Sequence, residues 1–378
     1  MAFPKIDVPY ADQGAIVVVN VMGVKSEASD LLDLLSRNKK ELDQIVLEFL
    51  PKEHSTPEIV SMYEMMRDYP SRGGKGVRGS LCLLWCDLFG GERKHALNTA
   101  AALELFQNWI LIHDDIEDES DLRRGLPALH KKYGIPLSIN AGDALHGKMW
   151  EMLVRNREIM GSDLAVKILS EFSTMLNETT EGQQMELFWT TNSKWSISEK
   201  DYFLMVTKKA AWYTCITPAR LGVILSSAGH NGKPNEDVLE RLIRIGTELG
   251  ISFQIVDDVL NLTADEGKYG KEILGDLYEG KRTLMLIHLL AHCSSEEGKK
   301  IVSTLAKPRQ EKTQNEIEEI FRKMKACGSI EYAKAVAQEH SRNALADFDS
   351  LVEEMGLSKS ESYHTTRLLM IYLTTRDY

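Results

Sequence analysis

Between Pro136 and Pro218, and again between Pro234 and Pro308, the chain contains no proline, and apolar residues recur through both stretches at spacings of three and four. That period is helical, because residues three and four apart return to the same face of a 3.6-residue turn. The residue that breaks helices most effectively is missing where the pattern is strongest. Strand-like signals are nearly confined to the β-branched run "AIVVVNVMGV" at 15–24. The pattern therefore predicts an all-α protein: a single large helical domain over residues 31–378, preceded by an arm over 1–30 that packs on the body or on a partner subunit. Glycine, proline and charge cluster at 68–79, 123–136, 226–237 and 265–283, which places the loops there. No internal repeat or low-complexity linker interrupts the domain.

Two of the predicted helices are oily on most faces and end in carboxylates. "AALELFQNWILIHDD" (101–115) leads into "DDIEDES", five carboxylates in seven positions. On an ideal helix Asp114 and Asp118 lie about 40° apart, one turn from each other, so both face the same point. Asp115 and Glu117 flank that face. The second helix, "LIRIGTELGISFQIVDDVLNL" (242–262), puts Asp257 and Asn261 on one face and Gln254 and Asp258 on its neighbour. A solvated acidic helix end explains either cluster alone. It does not explain two that each terminate a mostly apolar helix. Carboxylates this crowded repel one another unless a cation sits among them. Hard oxygen ligands suit magnesium, which keeps several waters and completes its shell with phosphate oxygens.

Charge sharpens the picture. With 56 acidic against 45 basic residues and a net charge of −11, the 378-residue chain lacks the broad basic surface that grips nucleic acid. Its cations gather mostly at the helix breaks, with Lys75 and Arg78 in "GGKGVRG", Arg123 and Arg124, and Lys271, Lys281 and Arg282, joined by Lys208 and Lys209 between them. Arginine forks and lysine point charges in this arrangement are what a polyphosphate needs beyond its metals. Gly74 and its neighbours let backbone approach a phosphate closely. The motif is not a nucleotide loop, since no serine or threonine follows the lysine and no strand precedes it.

The five cysteines (Cys82, Cys86, Cys215, Cys293, Cys327) are scattered and odd in number, which excludes a disulfide framework. Cys82 and Cys86 have no second pair to complete a zinc tetrahedron. The N-terminus lacks the basic start of a secretion signal, and the run at 15–24 is too short to span a bilayer, so a soluble cytoplasmic protein is expected.

In the order "GGKGVRG", "LIHDDIEDESDLRRGLPALH", "INAGDAL", "EGQQMEL", "LMVTKKAA", "SFQIVDDVLN" and "GDLYEGKRTL", the chain resembles the trans-polyprenyl diphosphate synthases, the short-chain prenyltransferases of isoprenoid biosynthesis, from about residue 70 to 285. The resemblance implies a helical bundle of the isoprenoid synthase type with a central active-site cavity, in a homodimer. It implies about three magnesium ions, held by Asp114, Asp118 and Asp257 and bridging an allylic diphosphate. Asp115 and Asp258 join the catalytic set with Lys209 and Lys271. Arg123, Lys209, Gln254, Lys271 and Lys281 would hold the allylic diphosphate. Gly74, Lys75, Arg78, Gln107 and Arg124 would hold isopentenyl diphosphate, and Gln183 and Glu186 would line the site. The implied reaction is metal-assisted ionisation, attack by the isopentenyl double bond, and proton loss to released diphosphate.

Three positions depart from the family pattern: Gln107 where histidine is usual, Asn261 where aspartate is common, and Ala210 where threonine is frequent. They read as variation within an active enzyme. Chain growth must stop where the pocket is blocked. Helix geometry points to Ile110 and Phe106, about 40° and 80° from Asp114, whereas the resemblance points to Trp109. We follow the resemblance, because a pocket lies between helices rather than along one axis. The uninterrupted "DDIED" and the archaeal look of "DDVLNLTADE" favour geranylgeranyl diphosphate as product, with farnesyl diphosphate next. A class I terpene cyclase has no use for the second cationic cluster. A modulatory subunit of a prenyl synthase would find support only in Gln107, Ala210 and Asn261, and a helical scaffold gives no reason for cations and carboxylates at the same helix ends.

Overall fold

The helical period is realised almost throughout. A computed structural model describes residues 21–228, 234–264, 272–358 and 360–375. The principal helices are α1 (Val21–Phe49), α2 (Pro57–Ser71), α3 (Val77–Leu88), α4 (Arg93–Glu117), α5 (Ile135–Val154) and α6 (Ser162–Thr191). A continuous rod, α7, then runs through Glu199–Val206, a π-helical stretch Thr207–Ile216, and Thr217–Ser226. α8 (Glu236–Thr263) follows, then a run of shorter helices, and finally α9 (Ser329–Glu354) and α10 (Glu361–Thr375). The all-α expectation holds. Among the described residues the only strands are two residues each, Leu122–Arg123 paired antiparallel with Leu126–Pro127.

α1 starts at Val21, inside the stretch assigned to the N-terminal arm. The β-branched residues there continue a helix already nucleated by the amphipathic segment after them, and adding a turn to an existing helix costs little. That segment buries Leu31, Leu35, Leu42 and Val46 at helical spacing. Residues 1–20 lie outside the described residues.

One apolar cluster fills the space among α1, α3, α4, α5 and α10, with Trp85 and Phe106 among its largest fully buried side chains. A second lies under α9, the shorter helices and the far end of α8. α4 and α8 are buried on most sides, so their C-terminal ends open inward on a shared cavity. The π stretch is approached closely from two sides: a Cβ at Gly182 of α6 would collide with the Lys209 backbone, and one at Gly250 of α8 with Ala211. Only glycine permits both approaches. No helix among the described residues is long and apolar enough to cross a membrane, and all five cysteines are free thiols.

Candidate active site

The ends of α4 and α8, the middle of α6, the π stretch of α7 and the segment 272–283 enclose a cavity of about 990 Å³. One end is charged. Apolar side chains, among them Trp109, Ile110 and Phe253, also line the cavity.

At the charged end the tight hairpin after α4 does the first piece of positioning. Its two loop residues, Arg124 and Gly125, both have positive φ (54° and 74°), as a two-residue hairpin requires. The turn folds Arg123 back on α4, where its Nε lies 3.0 Å from both Asp115 oxygens. Asp115 is 0% exposed and also accepts the Tyr69 hydroxyl at 2.5 Å. Asp115, expected among the catalytic carboxylates, therefore lies outside the cavity lining: the helical turn that aims Asp114 inward rotates its neighbour into the protein. Asp114 and Asp118 do line the cavity. Arg123 lines it too, with Nη2 3.7 Å from Asp114.

The second aspartate pair repeats the device. Asp257 lines the cavity, while Asp258, though it borders the cavity, is buried and accepts the Tyr202 hydroxyl at 2.7 Å and Gln254 Nε2 at 2.8 Å. Burial pushes the Asp258 carboxyl up to about 7, against those two hydrogen bonds. Gln254, expected on the diphosphate, is thus engaged with Asp258 at the cavity wall.

Asn261 is the departure that the geometry explains. Its Nδ2 donates to the Glu272 carbonyl at 3.3 Å and its Oδ1 accepts from the Asp276 N–H at 3.1 Å, tying the 272–276 segment to the end of α8. An aspartate offers no donor to that carbonyl. Replacing Asn261 with Asp is expected to set two acceptors face to face and to lower stability by about 1–3 kcal/mol, measured by denaturant unfolding.

Cations answer the carboxylates directly. Lys281 Nζ lies 2.6 Å from Asp118 and 2.7 Å from Glu279. Lys209 pairs with Glu186 and stands 3.5 Å from Asp114. Even so, burial pushes the Asp118 carboxyl up to about 7, with Lys281 opposing and Asp114 and Glu279 adding to the rise. Gln183 donates to Glu117 at 2.6 Å on the same wall. Lys208 turns away: it binds Glu178 at 2.7 Å and Glu181 at 2.6 Å and does not line the cavity. The expected Lys271 lies outside the described residues.

A second cationic lobe adjoins the first. Lys75, Arg78, Gln107 and Arg124 all line it. Arg124 donates to the Tyr69 carbonyl at 2.7 Å and presses on Gly74, where φ is +131° and an added Cβ would lie 3.1 Å from Nη2. Arg78 lies over the Tyr213 ring at 4.2 Å and donates to Thr214 Oγ1 at 2.8 Å. Its Nε, and the carbonyl oxygen of the Gln107 side chain, are buried without a hydrogen-bond partner among the described residues.

Among the apolar residues Trp109 and Ile110 line the cavity, whereas Phe106 is 1% exposed and lies behind Trp109, edge-on at 5.4 Å. The indole stacks on His146 at 4.0 Å, and His146 Nε2 accepts from Trp150 at 2.8 Å. Sequence reasoning missed the tyrosines behind the aspartates, and also Glu104, Asp276 and Glu279 on the cavity wall. For the last two a signal existed: they stand five and two residues before Lys281 in "GDLYEGKRTL".

Residues 60–324 match the family model described as polyprenyl synthetase. The chain is 38% identical over 274 residues to a geranylgeranyl diphosphate synthase of Saccharolobus solfataricus, covering 72% of this chain and 79% of that protein. It is 33% identical over 352 residues to a geranylgeranyl diphosphate synthase of Methanosarcina mazei, covering 92% and 98%. Its fold is similar to the crystal structure of a geranylgeranyl pyrophosphate synthetase from Pyrococcus horikoshii, with a TM-score of 0.77 at 29% identity over 91% of this chain and 99% of that one.

Proposed function

The chain belongs to the polyprenyl synthetase family, and from that premise we propose that it is a prenyltransferase that condenses isopentenyl diphosphate with allylic diphosphates to make geranylgeranyl diphosphate. One observation carries the reading: a single cavity is lined by two sets of cations, one of them among carboxylates, and by apolar side chains that include Trp109. Two diphosphates and one growing hydrocarbon have their places in it.

The donor set fits a hard divalent cation. Among the described residues no three His, Cys, Asp or Glu side chains converge to hold an ion alone, so magnesium would draw its remaining ligands from phosphate and water. Asp114, Asp118 and Asp257 would supply the protein oxygens. Bound there, magnesium would neutralise the allylic diphosphate as it leaves. Lys209 and Lys281 turn from Glu186 and Asp118 towards the same phosphate. Arg78, Arg124 and Lys75 hold isopentenyl diphosphate, with Gln107 donating through its amide. The apolar wall keeps water from the allylic cation until the double bond attacks. Exposed Ile135, Leu137 and Ile139 at the start of α5 suit the contact of a homodimer.

The raised carboxyls give a testable pH dependence. Asp118 and Asp258 keep their protons to about pH 7 in the folded chain, but lose them near 3.9 when unfolded. Over that window the folded state binds more protons, so these groups favour folding at low pH and the advantage is lost as pH rises towards 7. Ligation requires the ionised form and expels the protons. The gain in Tm from magnesium plus inorganic diphosphate is therefore expected to grow between pH 6 and pH 8. A gain that does not change with pH would remove Asp118 from the ligand set.

The reading is tested by incubating the purified protein with magnesium, isopentenyl diphosphate and, separately, dimethylallyl, geranyl and farnesyl diphosphates, and identifying the alcohols after dephosphorylation. Geranylgeraniol is the expected product. A stop at farnesol, for which the bulk of Trp109 is the supporting observation, would move the product to farnesyl diphosphate. No condensation from any primer would overturn the enzymatic reading in favour of a modulatory subunit.

A further inference from the structure

The segment that carries Lys281 does not hold itself in place. Gly275–Glu279 is a five-residue helix, entered through Leu274 at φ 62° and left through Gly280 at φ 73°. A helix so short does not recover its own nucleation cost, so bonds from outside must fix both ends. At the front, Asn261 bonds the Asp276 N–H. At the back, Lys312 donates to the last turn's carbonyls: its Nζ lies 2.5 Å from the Tyr278 oxygen and 3.5 Å from that of Leu277, which also accepts the Gly280 N–H at 3.2 Å. Past the helix, the Gly280 carbonyl accepts from Arg282, and the Lys281 N–H returns to Asp276 O at 2.8 Å.

Lys312 stands in an unfavourable place for an ammonium. It is 7% exposed, and no carboxylate among the described residues comes within ion-pair distance of it. Stripping a cation of water without pairing it is among the costlier acts in a protein interior. Burial, with Arg309 and Arg282 nearby, pushes the amine down to about 8. What the chain gains is a positive charge at the C-terminal end of the helix, where the dipole favours one, two residues before Lys281.

We propose that Lys312 is a positioning residue for the allylic diphosphate lobe: by capping the Gly275–Glu279 helix from outside the cavity, it fixes where the Lys281 ammonium stands. Lys312 is not among the residues lining this cavity but lines a smaller adjoining one, of about 380 Å³, that shares Asp118, Glu279, Lys281 and Arg282 with it, and nothing in the motifs shared with the family points to it. The inference rests on the proposed function only for the identity of the ligand.

The test compares Lys312→Met, which removes charge and donor, with Lys312→Gln, which keeps a donor. Titration calorimetry with magnesium and inorganic diphosphate reads the lobe directly, and steady-state kinetics read the two substrates apart. Lys312→Met is expected to weaken magnesium diphosphate binding about ten-fold and to raise KM for the allylic diphosphate by a similar factor, since a small misplacement of a binding group costs this much or more. KM for isopentenyl diphosphate stays within about two-fold, because its lobe lies on other elements. Lys312→Gln recovers part of the loss. If both KM values rise together, the residue merely supports the fold and the proposal is wrong; it is equally wrong if neither changes. Should Lys312→Met not fold, the ratio of the two KM values in Lys312→Gln decides. A wild-type protein that binds magnesium diphosphate but condenses nothing overturns the proposed function and leaves the calorimetric comparison to decide on Lys312.

Discussion

Replacing Asp114 with alanine lowers kcat for condensation about a thousand-fold, or ~4 kcal/mol, while leaving Tm unchanged or raised. The side chain faces the cavity beside Lys209 at 3.5 Å and Arg123 at 3.7 Å, so its loss removes charge from where a leaving diphosphate is gripped. In the free protein it also adds to the repulsion felt by Asp118, which is why its removal does not destabilise. Its neighbour behaves in the opposite way. Asp115→Ala strands the buried Arg123 guanidinium and the Tyr69 hydroxyl, and the expected cost is about 3–5 kcal/mol of stability. Activity assays and thermal melts on the two variants separate the roles. If Asp114→Ala keeps activity within ten-fold, the carboxylate is no ligand and the site must be redrawn.

Trp109→Ala lengthens the principal product by at least one isoprene unit. The indole lines the cavity and is itself only 8% exposed, so truncation is expected to open space that a hydrocarbon tail fills. A hole of this kind in a well-packed interior costs about 3–5 kcal/mol, part of which the longer chain recovers by filling it. Phe106→Ala loses stability for the same reason, but does not open the cavity, because Phe106 stands behind Trp109. Chromatography of the dephosphorylated products decides: an unchanged product from Trp109→Ala would remove it as the floor, and a longer one from Phe106→Ala alone would shift the floor one layer deeper.

What the sequence disclosed and what it withheld divide along a physical line. Helices without proline and oily segments ending in aspartate are local patterns, so the all-α fold and the cavity-facing Asp114, Asp118 and Asp257 were readable. Partner choice across the fold was not. Tyr69 meets Asp115 across 46 residues and Tyr202 meets Asp258 across 56; both tyrosines look like ordinary core residues until the helices are packed. Lys208 and Lys209 carry the same charge in adjacent positions, and only the placement of α6 sends one outward to Glu178 and the other inward to Glu186. Asn261 looked like plain variation of the family pattern because its donor finds a use only when the 272–276 segment folds over it.

The π stretch at Thr207–Ile216 sets a limit on how this chain can change in length. Lys209 near its start reaches one cationic lobe, and Thr214 near its end holds Arg78 in the other. Such a stretch arises where a helix has taken in extra residues and keeps them at the expense of ideal hydrogen bonding. A deletion of a single residue here would relax the rod to an ordinary helix and improve its local bonds. It would also turn everything beyond by about 100° relative to Lys209, so the two lobes would no longer face one another. Substitutions along the stretch change one contact at a time, but a one-residue gap severs the link between the two substrates.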